Sequence, residues 1–179
     1  MDMSSKMTSI LKSEKNICGI RISAVKTCSA LVSNDPISNH RVANDFARSF
    51  MILDDGREHF YVAFLNARNV PIGFCEVSVG TVNAALVHPR EVFRPAILIN
   101  SAKIMLFHNH PSGNPDPSPD DDEITRILAL SGVHIGIPVL DHIIVGEDKF
   151  YSYVHEGMMP FSAASSSVKF NKEIYNCDS

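Results

Sequence analysis

The chain has 179 residues, 45% of them hydrophobic and 20% charged, with a formal net charge of -4; that suits one soluble globular domain with short extensions and argues against wholesale disorder. An acidic chain without a lysine and arginine block lacks the electrostatic footprint of phosphate binding, so nucleic acid is possible but not favoured as a partner. The opening MDMSSKMTSILKSEK has no secretory apolar core and no later run reaches the length of a membrane span, which points to a cytoplasmic protein with no membrane partner.

Residues 1–36 read as an extension holding at most one strand, ICGIRISAV at 17–25, whose alternation is adequate but short. Ser38 can cap a helix in which Val42, Phe46, Phe50 and Leu53 recur at helical spacing, ending near "DDG". HFYVAFLNA (59–67) and VPIGFCEVSVG (70–80) flank a polar turn as an antiparallel hairpin. PREVFRPAILINSAK, from Pro89, is helical, with Pro95 marking a kink or the true start. IMLFHN follows as a buried strand, then DDDEITRILALSG as a helix with acids at its start and Gly132 at its end. IPVLDHIIVG and KFYSYV are two more strands, and 156–179 reads as a loose tail. Helices interleaved with strands predict an α/β fold, a mixed sheet with helices on its faces, over residues 37–155.

Cys18, Cys28, Cys75 and Cys177 form no C-x-x-C pair, so neither a disulfide framework nor a thiolate zinc site is indicated. The stretch HNHPSGNPDPSPDDDE (108–123) carries the chemistry. His108 and His110 end an apolar strand, where a period of two puts both rings on one face with Cα atoms roughly 6 to 7 Å apart, a span that lets two nitrogens converge on one ion. An isolated H-x-H is more often a pair of hydrogen-bonded strand-end residues, but the residues downstream shift that balance. Pro111, Gly113, Pro115 and Pro117 build a tight turn, and Ser118-Pro119-Asp120-Asp121 has the form of a helix start: serine cap, proline first, acid third. That cap explains Ser118 and Asp121 without any metal, yet the turn also returns Asp121 toward the histidines as a third ligand. Two imidazoles and a carboxylate leave a fourth position for water, the pattern of a catalytic zinc site. Hydrolysis then needs a base that is not a ligand and a donor for the oxyanion. Glu58 is the first choice of base, with Glu76 in reserve, and Ser118 is the donor.

The order Glu58, His108-x-His110, seven residues, Ser118, two residues, Asp121 resembles the JAMM motif of the MPN (JAB) metallopeptidase domain. More narrowly, EHFYVAFL, HPREVFRPA, HNHPSG, PSPDD and LDHIIVG resemble the RadC-like branch of that family. The resemblance implies zinc (Zn2+) on His108, His110 and Asp121, a catalytic Glu58, an oxyanion-stabilising Ser118, and a three-layer α/β/α domain related in architecture to cytidine deaminases. It also implies a hydrolase that cleaves a peptide or isopeptide bond by attack of a zinc-bound water, with a peptide or protein as substrate. RadC-like proteins usually carry a helix-hairpin-helix segment before this domain; the first forty residues lack its glycine-rich hairpins, which weakens an inherited expectation of DNA binding.

Contiguous H-N-H does not have the spread ββα spacing of nucleases of that name. DPSPDDDE lacks the glycine and glutamate of a calcium loop, and H-x-E with P-C-x-x-C, required of a deaminase, is absent. His142 reads as a buried histidine tied by hydrogen bonds rather than a ligand, Arg90 and Arg94 as makers of surface contacts, and Asp120, Asp122 and Glu123 as a solvated first turn. His40, His59, His88, His134 and His155 have no ligand partners at diagnostic spacing. Behind the hydrolase stand two alternatives: a DNA-associated repair or mobile-element accessory protein with a structural or vestigial metal site, and last, a metal-dependent nuclease.

Overall fold

The computed structural model describes residues 35–53, 55–80 and 87–160; the strand expected at 17–25, and Cys18, Cys28 and Cys177, lie outside them. In chain order come α1 (His40–Arg48), β1 (Glu58–Leu65), β2 (Pro71–Gly80), α2 (Pro89–Leu98), β3 (Lys103–Asn109), α3 (Pro119–Ile135), β4 (Val139–Val145) and β5 (Phe150–Ser152). The sheet runs β2-β1-β3-β4-β5. Only β3 and β4 are parallel; the other pairs are antiparallel. A parallel pair needs a crossover, and here it is the loop after His110 together with α3.

Both faces of this sheet are covered, which is why β1 reads as an almost unbroken apolar run instead of an alternation. Phe60, Val62 and Phe64 face α2 and α3, packing with Val92, Phe93, Ala96, Ile124 and Leu128. Tyr61, Ala63 and Leu65 face α1, with Ala43, Phe46 and Ala47. The result is the expected three-layer α/β/α arrangement, with its core split into two clusters by the sheet.

Three local expectations shift. Asn39, not Ser38, caps α1: its side-chain oxygen accepts from Arg41 N at 3.0 Å and Val42 N at 3.1 Å. The stripe that meets the sheet is Ala43, Phe46 and Ala47, while Val42 stays exposed. The helix then stops at Arg48, and Phe50 stacks on Phe74 beyond its end. Next, α2 begins at Pro89 under a His88 ring nitrogen that accepts from Arg90 N, and it runs through Pro95 to Leu98. The carbonyl that Pro95 leaves without its helical donor belongs to exposed Glu91, where the omission is cheapest.

The third shift concerns Gly132. Helix α3 continues past it to Ile135 and ends at Gly136, whose φ of 80° is the left-handed geometry of a glycine stop. Gly132 serves a different need: a Cβ there would stand 2.6 Å from Ile137 O and 3.3 Å from Phe93 Cζ. The chain entering β4 therefore passes against bare helix backbone. A Gly132→Ala variant is expected to lose about 1 to 3 kcal/mol through this overpacking, a fall of several degrees in thermal midpoint; an unchanged midpoint would show that the β4 approach yields freely.

Candidate metal centre

β3 ends at the heart of the site. His108 is wholly buried, with the Phe60 ring stacked 6.0 Å away. Alternation sends Asn109 to the opposite face, where its side chain accepts from His59 N at 2.8 Å and donates to Arg57 O at 2.8 Å. Those two backbone groups flank Glu58, so the asparagine between the histidines fixes the start of β1 against the end of β3. Phe60 pairs with His108 across the ladder, and the period of two carries Glu58 along the same face toward His110. Its proximity is felt electrostatically, since the Glu58 charge is among the influences favouring the protonated forms of both histidines.

His110 N donates to Val145 O at 3.0 Å, and Gly113 N donates back to His110 O, so the loop turns sharply at the end of β4. The chain then enters α3 through a reciprocal cap. Ser118 Oγ accepts from Asp121 N at 3.2 Å, while Asp121 Oδ2 accepts from Ser118 N at 2.7 Å and from the Ser118 hydroxyl at 2.6 Å. The capping reading and the ligand reading thus hold together, because the same carboxylate reaches the histidines: Oδ1 lies 3.1 Å from His108 Nε2, and Oδ2 lies 3.4 Å from His110 Nε2. The two Nε2 atoms are 2.9 Å apart.

These separations suit an ion. Donors about 2.0 to 2.1 Å from a tetrahedral zinc stand roughly 3.3 Å from one another; the two rings and the Asp121 oxygen nearest to each come close to that, the carboxylate meeting His108 through Oδ1 and His110 through Oδ2. The chemistry of the donor set agrees. His110 Nδ1 lies 2.7 Å from Asn114 O, a carbonyl that can only accept, so a proton sits on Nδ1 and Nε2 is the nitrogen turned inward. Burial opposes the charged form of Asp121, yet His108, His110 and Ser118 outweigh it and hold the carboxyl ionised, far below the usual carboxylate range. Asp121 in turn raises the His110 pKa, whereas burial lowers that of His108. Two imidazole nitrogens and a negative charge converge on one point, and His108, His110 and Asp121 form the one candidate metal group among the described residues.

His142 is buried and hydrogen-bonded, as its apolar strand suggested. Its Nε2 lies 2.9 Å from His108 Nδ1 and its Nδ1 lies 2.6 Å from Thr125 Oγ1; burial pushes its pKa well down, so the ring is neutral. Thr125 carried no signal in the sequence beyond standing one helical turn after Asp121. Glu76, the reserve base, lies on the α1 face and does not join the site.

There Glu76 belongs to a second cluster of titratable groups, one without a spacing signal in the chain. His59, 1% exposed, sits 2.6 Å from Glu76 Oε1 through Nδ1 and 2.9 Å from Asp55 Oδ1 through Nε2. Burial opposes its charge, but the two carboxylates outweigh this and raise its pKa. Asp55, hydrogen-bonded to His59, is lowered to about 2. A raised histidine pKa contributes stability that is complete below the unfolded value of about 6.5 and is lost as pH rises through the folded value; the carboxylates contribute above their unfolded range near 4. The stability deficit of His59→Gln is therefore expected to be largest between about pH 5 and 6.5 and to shrink toward pH 9. Urea unfolding of both proteins across that range checks it, and a deficit independent of pH would refute a charged His59.

No helix among the described residues is long and apolar enough to cross a membrane. Among known proteins, the chain is similar to a UPF0758 protein of Desulfitobacterium hafniense, 40% identical over 132 residues that make 72% of this chain and 58% of the relative. It is also similar to UPF0758 proteins of Desulforudis audaxviator, 51% identical over 102 residues (57% of this chain and 44% of the relative), and of Rubrobacter xylanophilus, 52% identical over 103 residues (58% and 45%). The chain thus spans about half the length of the curated relatives it matches. A family model described as RadC-like JAB domain matches residues 37–158, a stretch that contains Glu58, His108, His110, Asp121 and all eight described elements, and the chain belongs to that family.

Proposed function

We propose that this domain is a zinc-dependent hydrolase of peptide or isopeptide bonds. The observation that supports it best is the convergence of His108 Nε2, His110 Nε2 and the Asp121 carboxylate within 4.8 Å of one another, beside a glutamate that is not one of the three. Three protein donors leave a coordination position open, as catalytic zinc sites do. When bound, zinc supplies Lewis acidity, bringing the pKa of a coordinated water toward neutrality and polarising a substrate carbonyl.

The chain's own groups supply the rest. Glu58 takes the proton of the attacking water as the C–O bond forms and delivers it to the amine nitrogen as the C–N bond breaks. Ser118 offers its hydroxyl to the developing oxyanion. Its hydrogen is directed at Asp121 Oδ2 in this structure, but a hydroxyl turns about one bond, and the Ser118 backbone N–H still holds that oxygen when it does. Substrate presentation falls to the loops around the site, among them the proline-rich turn at 111–117, where Pro111, Ser112, Asn114 and Asp116 are exposed.

The test is direct. Zinc-supplied protein is incubated with a broad pool of unfolded peptides and of lysine-linked isopeptides, and new amino groups are detected by mass spectrometry. Cleavage that a chelator stops and zinc restores is expected. A preparation carrying about one zinc per chain that cleaves neither pool would overturn the reading.

A further inference from the structure

Thr125, His142 and His108 are each wholly buried, and their contacts form a single line behind the metal-facing atoms. Thr125 Oγ1 lies 2.6 Å from Asp121 O and 2.6 Å from His142 Nδ1; His142 Nε2 lies 2.9 Å from His108 Nδ1. A carbonyl oxygen can only accept, so the threonine hydrogen points to Asp121 O. With that hydrogen spent, Oγ1 can only accept from His142, which places the imidazole proton on Nδ1. The neutral His142 ring then presents a lone pair at Nε2, and His108 must donate to it from Nδ1. What remains on His108 is the Nε2 lone pair, aimed at His110 and Asp121. Reversing the line would leave Thr125 Oγ1 and Asp121 O facing each other at 2.6 Å with no proton between them. The His142 ring plane is held by packing, stacked on Tyr153 at 5.2 Å and in T-shaped contact with Phe60 at 5.5 Å.

We propose that Thr125 and His142 are positioning residues that dictate the tautomer of His108, making Nε2 its metal-facing donor and tying that ring to the main chain of the Asp121 ligand. The line starts on the backbone of one ligand and ends on the ring of another, so the separation and orientation of two donors are set before any ion arrives. Outer hydrogen bonds of this kind commonly govern metal affinity by about 10- to 100-fold. This role presupposes that the three donors bind metal, as proposed above, but its tautomeric half stands without it.

Two measurements decide the matter. Zinc affinity is determined by chelator competition for the parent, Thr125→Val and Thr125→Ser; valine keeps the branched shape and removes the hydroxyl, and serine restores it. Binding about 10- to 100-fold weaker is expected for valine, with serine close to the parent. Independently, long-range 15N NMR of the metal-free parent is expected to show His108 protonated at Nδ1. That second measurement needs no substitution, so poor folding of the valine variant does not remove the test. Unchanged zinc affinity in Thr125→Val, a loss that serine fails to repair, or a His108 proton on Nε2 would each overturn the proposal. Should the parent bind no zinc, the hydrolase reading fails while the NMR result still decides the tautomer: a proton on Nδ1 upholds the line and one on Nε2 refutes it.

Discussion

Replacing Asp121 with asparagine is expected to remove the metal and leave the fold. The substitution exchanges a buried, ionised carboxylate for a neutral amide of the same shape, turning one of its two ends into a donor in a place where His108 Nε2 and His110 Nε2 already point inward. Metal affinity should fall by more than the roughly 10- to 100-fold typical of losing an outer partner, because a ligand itself is lost. The cap suffers less, since an amide oxygen can still accept from Ser118 N, and a stability cost of about 1 kcal/mol is expected. Elemental analysis with parallel unfolding measures both: about one zinc per parent chain, close to none in the variant. A variant that keeps its zinc would remove Asp121 from the ligand set, and a loss of several kcal/mol would make it chiefly a helix cap.

Glu58→Gln is expected to do the reverse, keeping the ion and losing the chemistry. Glutamine preserves shape and position at the head of β1, where Asn109 holds the main chain on either side, but cannot accept the proton that hydrolysis releases. General-base catalysis contributes about 100- to 10,000-fold, so kcat on any peptide the parent cleaves should fall by that factor with metal content unchanged. Equal turnover in the two proteins would assign proton transfer elsewhere; loss of zinc together with activity would make Glu58 a fourth ligand.

The centre was legible where its grammar is local. His108 and His110 share a face because strands have a period of two, and Ser118 with Asp121 announces a helix start within four residues. The sheet with helices on both faces followed from interleaved elements. Asn109, Thr125 and His142 were not legible in those roles, since their partners stand 50, 17 and 34 residues away and meet only through the β1-β3 ladder and the parallel β3-β4 pair. His59 was hidden for the same reason, as a titratable group inside a strand that otherwise reads apolar. Gly132 failed differently: glycine stops helices and also lets backbones approach, and the sequence does not separate these until β4 is seen passing 2.6 Å from where a side chain would begin. At α1 the serine before Asn39 also fits a cap by residue type, and the asparagine oxygen that holds Arg41 N and Val42 N sets the start one residue later.

The reciprocal cap at the start of α3 has a consequence for when the ion is needed. The Ser118 donors bind Oδ2 of the Asp121 carboxylate, which also faces His110, and leave Oδ1 turned to His108, so one side chain serves scaffold and site while keeping an oxygen that the scaffold does not use. A zinc finger collapses without its metal because the same sulfurs and nitrogens build both. Here the cap closes between Ser118 and Asp121 alone, so the start of α3 is built from hydrogen bonds that ask nothing of an ion.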